Sequence, residues 1–397
     1  NVAGGRNGSL ANPYNSLLEM YNSCGARSIA YFRTGTYLTS ALSGVALASD
    51  PAEYGSRAVF SEASRPVIWL AYPGEIPLID FGSTGLNVVE LMDMQGENIW
   101  VAGFEAQNIG NIGWRNNIRN KFGVVYRNNT FHDLKDGESD NNSGFIMWQG
   151  AAGADISHFD TVQNSTFTTL RGDGLLADSG CFLKLYGTKY NIIEHNSFAD
   201  SDFAEAGLAL KSSQSFMTVR GNVFESNVRT AIGGNMAFDT ADTNATGGEV
   251  YHNLCKGSGV NESDGCITLA IAITDVGSPT TMYVYRNTFI GMVKFAQNTI
   301  ATGNGPYNFN DNVIVNSGGS GGSCVLRATC VLQSGAGPFD YTKYVDGGDN
   351  VTGANNGSIA NATTGVLVGA SRTTYLGVAG FELLASTGGG GVGGRGS

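Results

Sequence analysis

The chain has 397 residues and a mass of 41.6 kDa, long for one compact domain and ordinary for one elongated repeat. Charged residues make up 14% and apolar ones 42%, and 57 Gly and 36 Asn stand against 8 Lys, which excludes a disordered chain, a coiled coil and a helical bundle. The formal charge of -11 and the lack of any Lys/Arg-rich run argue against nucleic acid and anionic membrane as partners, and no apolar run is long enough to span a bilayer as a helix.

The polar opening Asn1 to Ser9 does not read as a secretion signal, so a processed, soluble chain is expected. Residues 12–23 are predicted to form a short helix covering an open end of the fold, with Asn12 as N-cap and Pro13 in the first helical position. We read 1–45 as an N-terminal cap, 46–340 as the repeating body, 341–386 as C-terminal coils or cap, and 387–397 as a Gly-rich tail.

The body repeats one short pattern: an apolar residue, one or two polar residues, Asn, a small residue, then Phe or its equivalent. The copies are Val125-Tyr-Arg-Asn128-Asn-Thr-Phe131, Val162-Gln-Asn164-Ser-Thr-Phe167, Ile193-Glu-His-Asn196-Ser-Phe198 and Val219-Arg-Gly-Asn222-Val-Phe224. They continue as Val250-Tyr-His-Asn253-Leu-Cys255, Val284-Tyr-Arg-Asn287-Thr-Phe289 and Phe309-Asn-Asp-Asn312-Val-Ile314. Their last residues are 36, 31, 26, 31, 34 and 25 positions apart, one supersecondary unit per copy. Each unit holds short runs of strand periodicity, such as Leu208-Ala-Leu210 and Ile267-Thr-Leu269, between turns rich in Gly, Asn, Asp and Ser. The fold this predicts is all-β, a right-handed parallel β-helix whose coils stack about 4.8 Å apart. Asn128, Asn164, Asn196, Asn222, Asn253, Asn287 and Asn312 are expected to form a structural ladder, because Asn tolerates left-handed turns and stacked amides hydrogen-bond along the stack. The sequons at Asn128 and Asn164 would then be shielded from modification.

The N-terminal third carries further motifs: Asn7-Gly-Ser-Leu-Ala-Asn-Pro-Tyr14, Leu17-Leu-Glu-Met-Tyr21, Ala30-Tyr-Phe-Arg-Thr-Gly-Thr-Tyr37 and Leu70-Ala-Tyr-Pro-Gly-Glu-Ile-Pro-Leu-Ile-Asp80. Together with the coils they resemble the pectate-lyase-like right-handed β-helix superfamily over most of the chain. That superfamily includes polysaccharide lyases, glycoside hydrolases, esterases, phage tailspikes, adhesins and non-catalytic surface proteins, so the resemblance implies a fold and leaves the activity to the site.

A packed solenoid binds on an outward face, where residues of successive coils line up. Aligning Gly144-Phe-Ile-Met-Trp148, Gly180-Cys-Phe-Leu-Lys184 and Gly207-Leu-Ala-Leu-Lys211 on their glycines puts Lys184 and Lys211 outward on adjacent coils, with Trp148 nearby. A Trp beside two ammonium groups suits an acidic sugar, and a lysine of depressed pKa is a base for β-elimination on a uronic acid. Gly207-Leu-Ala-Leu-Lys211 is similar to a segment of the chondroitinase B and alginate lyase group, which has Arg followed by His-Gly where this chain has Lys211-Ser-Ser. That likeness implies a catalytic part for Lys211. Arg220 is expected to face outward on another strip as a candidate substrate-binding residue, with a surface charge as the plainer reading. Acids recur just before the same strands, and Asp140, Asp178, Asp202 and Glu205 are candidate ligands for Ca²⁺, with solvated turn acids as the plainer reading. His195 and His252 precede the ladder Asn and read as turn residues.

The six cysteines, the low Lys content and sequons such as Asn141 and Asn244 point to an extracellular protein. Cys255 with Cys266, and Cys324 with Cys330, are each placed to close a short loop as a disulfide. The resulting reading is a secreted β-helix that binds or cleaves an acidic polysaccharide. The alternative is a non-catalytic filament subunit or adhesin that self-associates through its ends and its Gly-rich tail.

Overall fold

The computed structural model describes Ser9, the strands and most of the tight turns between residues 13 and 290, and six short strands beyond, at 293–295, 307–310, 313–315, 326–328, 343–345 and 363–364. The longer connections, among them 83–90, 136–143, 172–180, 212–215, 238–247 and 257–264, and everything past 364 lie outside the described residues. Asn312 and the tail 387–397 are among those excluded.

The chain is a parallel β-helix. Three long sheets of 10, 12 and 11 strands are built by successive coils, which after the first coil add one strand at a time to a sheet. We call them face one, which runs from Ile29–Phe32 to Tyr307–Asn310, face two, from Gly35–Leu38 to Thr363–Thr364, and face three, from Ala48–Asp50 to Leu326–Ala328. A typical coil runs Val125–Arg127 on face one, Thr130–Phe131 on face two and Gly144–Gln149 on face three. Ile29–Phe32 and Gly35–Leu38 already belong to the first coil, inside the stretch expected as a cap. Among the described strands one pair is antiparallel, Ala48–Asp50 with Gly55–Ser61, at the start of face three.

The predicted capping helix is present but shorter. It spans Leu17–Ser23, and its N-cap is Ser16, whose hydroxyl accepts from Glu19 N, while the Glu19 carboxylate accepts from Asn15 N at 2.7 Å. These reciprocal bonds satisfy first-turn donors that Asn12 was expected to serve. Asn12 is not among the described residues. Leu17 and Met20 are buried, and the Tyr21 ring meets Phe60 edge-on at 5.1 Å, so the helix lies over the first coil's core.

Inside, face two carries a column of stacked rings: Phe131, Phe167, Phe198 and Phe224, at centroid spacings of 4.9, 4.9 and 4.6 Å. The repeat spacing puts one Phe per coil on the inner side, and burial of each ring is the main local stabilising contribution. Cys255 continues this column as a buried thiol.

The ladder between faces one and two is real, and its first two members differ from expectation. The stacking side chains are Asn129, Ser165, Asn196, Asn222, Asn253 and Asn287, each two positions before the residue of the Phe column. Asn128 and Asn164 sit one residue earlier, exposed, with φ of 55° and 50°. That left-handed position recurs at His195, Gly221, His252 and Arg286, which confirms the turn reading of the two histidines. Both sequon asparagines therefore face solvent and are not shielded by stacking.

Candidate functional site

Register decides what the face-three residues can do together. Cys181 pairs with Ala206, Leu183 with Leu208, Lys184 with Ala209, Leu185 with Leu210 and Tyr186 with Lys211. Lys184 and Lys211 are thus two positions out of line, and the mutual electrostatic effect expected of a stacked pair is not available. Gly207 stands opposite Phe182, between the pairs Cys181–Ala206 and Leu183–Leu208, so aligning the glycines shifts the second run by two positions; the Leu-x-Leu runs 183–185 and 208–210 carry the true register. Lys184 is also fully buried, between the buried Leu183 and Leu185, so no substrate reaches it. Trp148 pairs with Leu185, one line away from Lys211.

One polar line survives on this face. Asn117, Gln149, Tyr186 and Lys211 occupy matching positions on four successive coils. Of the acids, Asp202 pairs with Arg171, which pairs in turn with Lys135, so the strand position beside Asp202 on the preceding coil holds a cation. Asp140, Asp178 and Glu205 lie outside the described residues, and no group of His, Cys, Asp and Glu suited to a metal occurs among those described.

Face one presents side chains that sequence reasoning passed over. Its outer side has two lines of residues. The first contains Ile29, Ile68, Trp100, Val125, Thr161, Ile192, Thr218 and Glu249; the second contains Tyr31, Leu70, Ala102, Arg127, Gln163, Glu194, Arg220, Tyr251 and Tyr285. Arg220 does face outward, as expected, but it is engaged: Nε donates to Glu194 Oε2 at 2.6 Å and an Nη donates to the Tyr251 hydroxyl at 3.0 Å. Glu194 also accepts from Gln163 Nε2 at 2.7 Å, and its side chain is 9% exposed. Further along, the Tyr251 and Tyr285 rings stack at 4.9 Å, and the Tyr285 hydroxyl donates to Glu249 at 3.4 Å. Burial and the neighbouring Glu249 push the Tyr285 pKa up to about 12, so the phenol keeps its proton. At the N-terminal end the same surface is aromatic and aliphatic: Ile29, Tyr31 and Trp100 are 51%, 59% and 43% exposed. The signal was available in the period-2 pattern of Trp100-Val-Ala, where an outward Trp precedes a buried Val.

Face two bears a tighter polar cluster. His132 Nε2 lies 3.0 Å from Glu105 and its Nδ1 2.7 Å from Asp133, while Asp80 accepts from Gln107, Asn108 and Gly82 N. Burial works against the Asp80 carboxylate, yet the donors from Asn108, Gln107 and Gly82 outweigh it and hold its pKa below the ordinary value. These contacts tie neighbouring coils together.

Comparison with protein-family models, with curated proteins and with solved structures finds no match in any of the three.

Proposed function

We propose that this protein works outside the cell and binds an acidic polysaccharide along face three, with Lys211 meeting a uronate carboxylate or, unprotonated, taking the proton beside it. The observation that carries the reading is the line Asn117, Gln149, Tyr186 and Lys211, one polar residue per coil on four neighbouring strands. Such a line repeats at about 4.8 Å, the interstrand spacing, and matches an extended polymer better than a compact small molecule. Tyr186 beside Lys211 supplies the two kinds of group a β-elimination uses, an amine to accept the proton next to the carboxylate and a phenol to protonate the departing oxygen. The low Lys content and the exposed sequons at Asn128 and Asn164 support an extracellular setting, as does the resemblance to pectate-lyase-like proteins.

The test is absorbance at the unsaturated-uronate band during incubation with alginate, pectate and chondroitin, with and without added Ca²⁺, for the unaltered protein and for Lys211→Ala. A rise that disappears in Lys211→Ala, with an unchanged melting temperature, is expected. Binding without any rise would restrict the reading to recognition. Neither binding nor cleavage would overturn it and favour the structural subunit, although the helix Leu17–Ser23 covers the N-terminal end through which axial stacking would run.

A further inference from the structure

We infer that face one carries a second polysaccharide-binding surface, centred on Trp100 and Arg127. It shares the polymer class of the proposed function and uses none of its residues.

Trp100 and Arg127 stand on adjacent coils. Val125 is the register partner of Trp100, and Arg127, two residues on, pairs with Ala102, so the indole and the guanidinium are diagonal neighbours on one outward surface. Both are exposed, while Val101 and Tyr126 between them are fully buried in the core. The core therefore fixes the two strands and leaves the two outward side chains to solvent.

The energetics favour a partner here. An indole 43% exposed, with Ile29 and Tyr31 more exposed still on the same face, forms a larger apolar surface than scattered single residues would. Further along the face the cation Arg220 is committed to Glu194 and Tyr251. Arg127 has no such carboxylate among the described residues: the next position in its line is Gln163, whose amide donates to Glu194. Ala102 on the other side offers nothing to bond. An exposed cation beside an exposed aromatic ring matches a sugar that carries a carboxylate, with the ring covering a pyranose face and the guanidinium taking the anion in a two-pronged hydrogen bond. The small Ala102 leaves room in the second line directly beside Trp100. A linear polymer satisfies the demand for one contact per coil along the axis. The negative total charge acts on such a polymer only at long range, and at physiological salt it is screened beyond about 8 Å.

The experiment is titration of the full chain with size-defined uronate oligosaccharides, read by tryptophan fluorescence and calorimetry, for the unaltered protein, Trp100→Ala, Trp100→Tyr, Arg127→Gln and Lys211→Ala, with a neutral glucan as control ligand. Trp100→Ala and Arg127→Gln are expected to weaken one class of site roughly tenfold or more, and Trp100→Tyr to restore most of it. Lys211→Ala should leave that class intact. Unchanged affinity in Trp100→Ala and Arg127→Gln, alongside loss in Lys211→Ala, would overturn the second surface and leave the face-three reading standing. The reverse pattern would sink the face-three site alone. Equal binding of the neutral glucan would overturn the acidic specificity assigned to Arg127. Absence of all binding would overturn both sites. Because both side chains are exposed, melting curves of the variants should overlay, which separates lost binding from lost fold.

Discussion

Asn222 Oδ1 accepts two hydrogen bonds from Asn196, one from its backbone N–H and one from its Nδ2, each 3.0 Å long. Asn222 in turn donates its own Nδ2 to Ile193 O at 2.8 Å and to Asn253 Oδ1 at 3.0 Å. One side chain thus satisfies buried backbone groups of the coil before it and passes the pattern to the coil after it.

Asn222→Ala should cost about 2–4 kcal/mol in urea unfolding, because it strands the buried Asn196 N–H and the Ile193 carbonyl together. Asn222→Ser should cost less, since Ser165 already fills a ladder position and accepts Asn129 N at 3.2 Å. Equal losses for Ala and Ser would show that side-chain volume, not hydrogen bonding, sets the effect.

Gly221 is required twice over. Its φ is 62°, and an added Cβ would lie 2.6 Å from His195 Nδ1. Gly221→Ala should destabilise by about 1–2 kcal/mol from the backbone conformation alone. The ring contact adds to that, and His195→Gly in the same molecule should recover the added part. A double-mutant cycle with no coupling would remove the contact from the account.

His252 has a pKa lowered first by burial and then by Arg286, and its buried Nε2 has no hydrogen-bond partner. The folded state therefore binds a proton less readily than the unfolded chain, so stability is full above pH 6.5 and declines as the pH falls below it. His252→Asn keeps a residue that tolerates the 55° φ and should flatten that part of the stability profile between pH 7.5 and about 5.5. An unaltered slope would assign the acid sensitivity to other groups.

Arg220 holds an almost buried Glu194, so Arg220→Ala should lower stability by about 1–3 kcal/mol and leave polymer affinity unchanged. Removing both charges, in Arg220→Met with Glu194→Met, should be milder than removing Arg220 alone. If Arg220→Ala binds polymer less well at equal stability, the residue contacts substrate as the sequence first implied.

Cys255 and Cys266 occupy, on faces two and three of one coil, the backbone positions of Phe131 and Phe145, whose rings are 5.9 Å apart in theirs. Cys255 is a thiol in this structure, and we propose that an oxidising medium joins it to Cys266. Peptide mapping under non-reducing conditions should find the linked pair; both sulfurs alkylated after oxidation would end the idea. Cys324 and Cys330 lie outside the described residues.

The sequence by itself determined the solenoid, because one apolar residue, one turn-forming residue and one Phe per 25 to 36 positions leave a stacked coil as the way to bury the inner column. It also determined the ladder chemistry. It left the ladder register open at Asn128-Asn129 and Asn164-Ser165, where two polar residues compete and only the distance to Phe131 and Phe167 separates the exposed left-handed position from the buried one. The tertiary structure alone decided which residues of different coils become neighbours. Loops of unequal length absorb the offset between coils, so that Lys184 meets Ala209 while Lys211 meets Tyr186. Burial was equally hidden: alternation places Lys184 and Trp100 on strand surfaces alike, and only the assembled fold encloses the first and exposes the second. The reason is physical, since side-chain direction follows from local backbone geometry, whereas solvent access depends on chain segments far away in sequence.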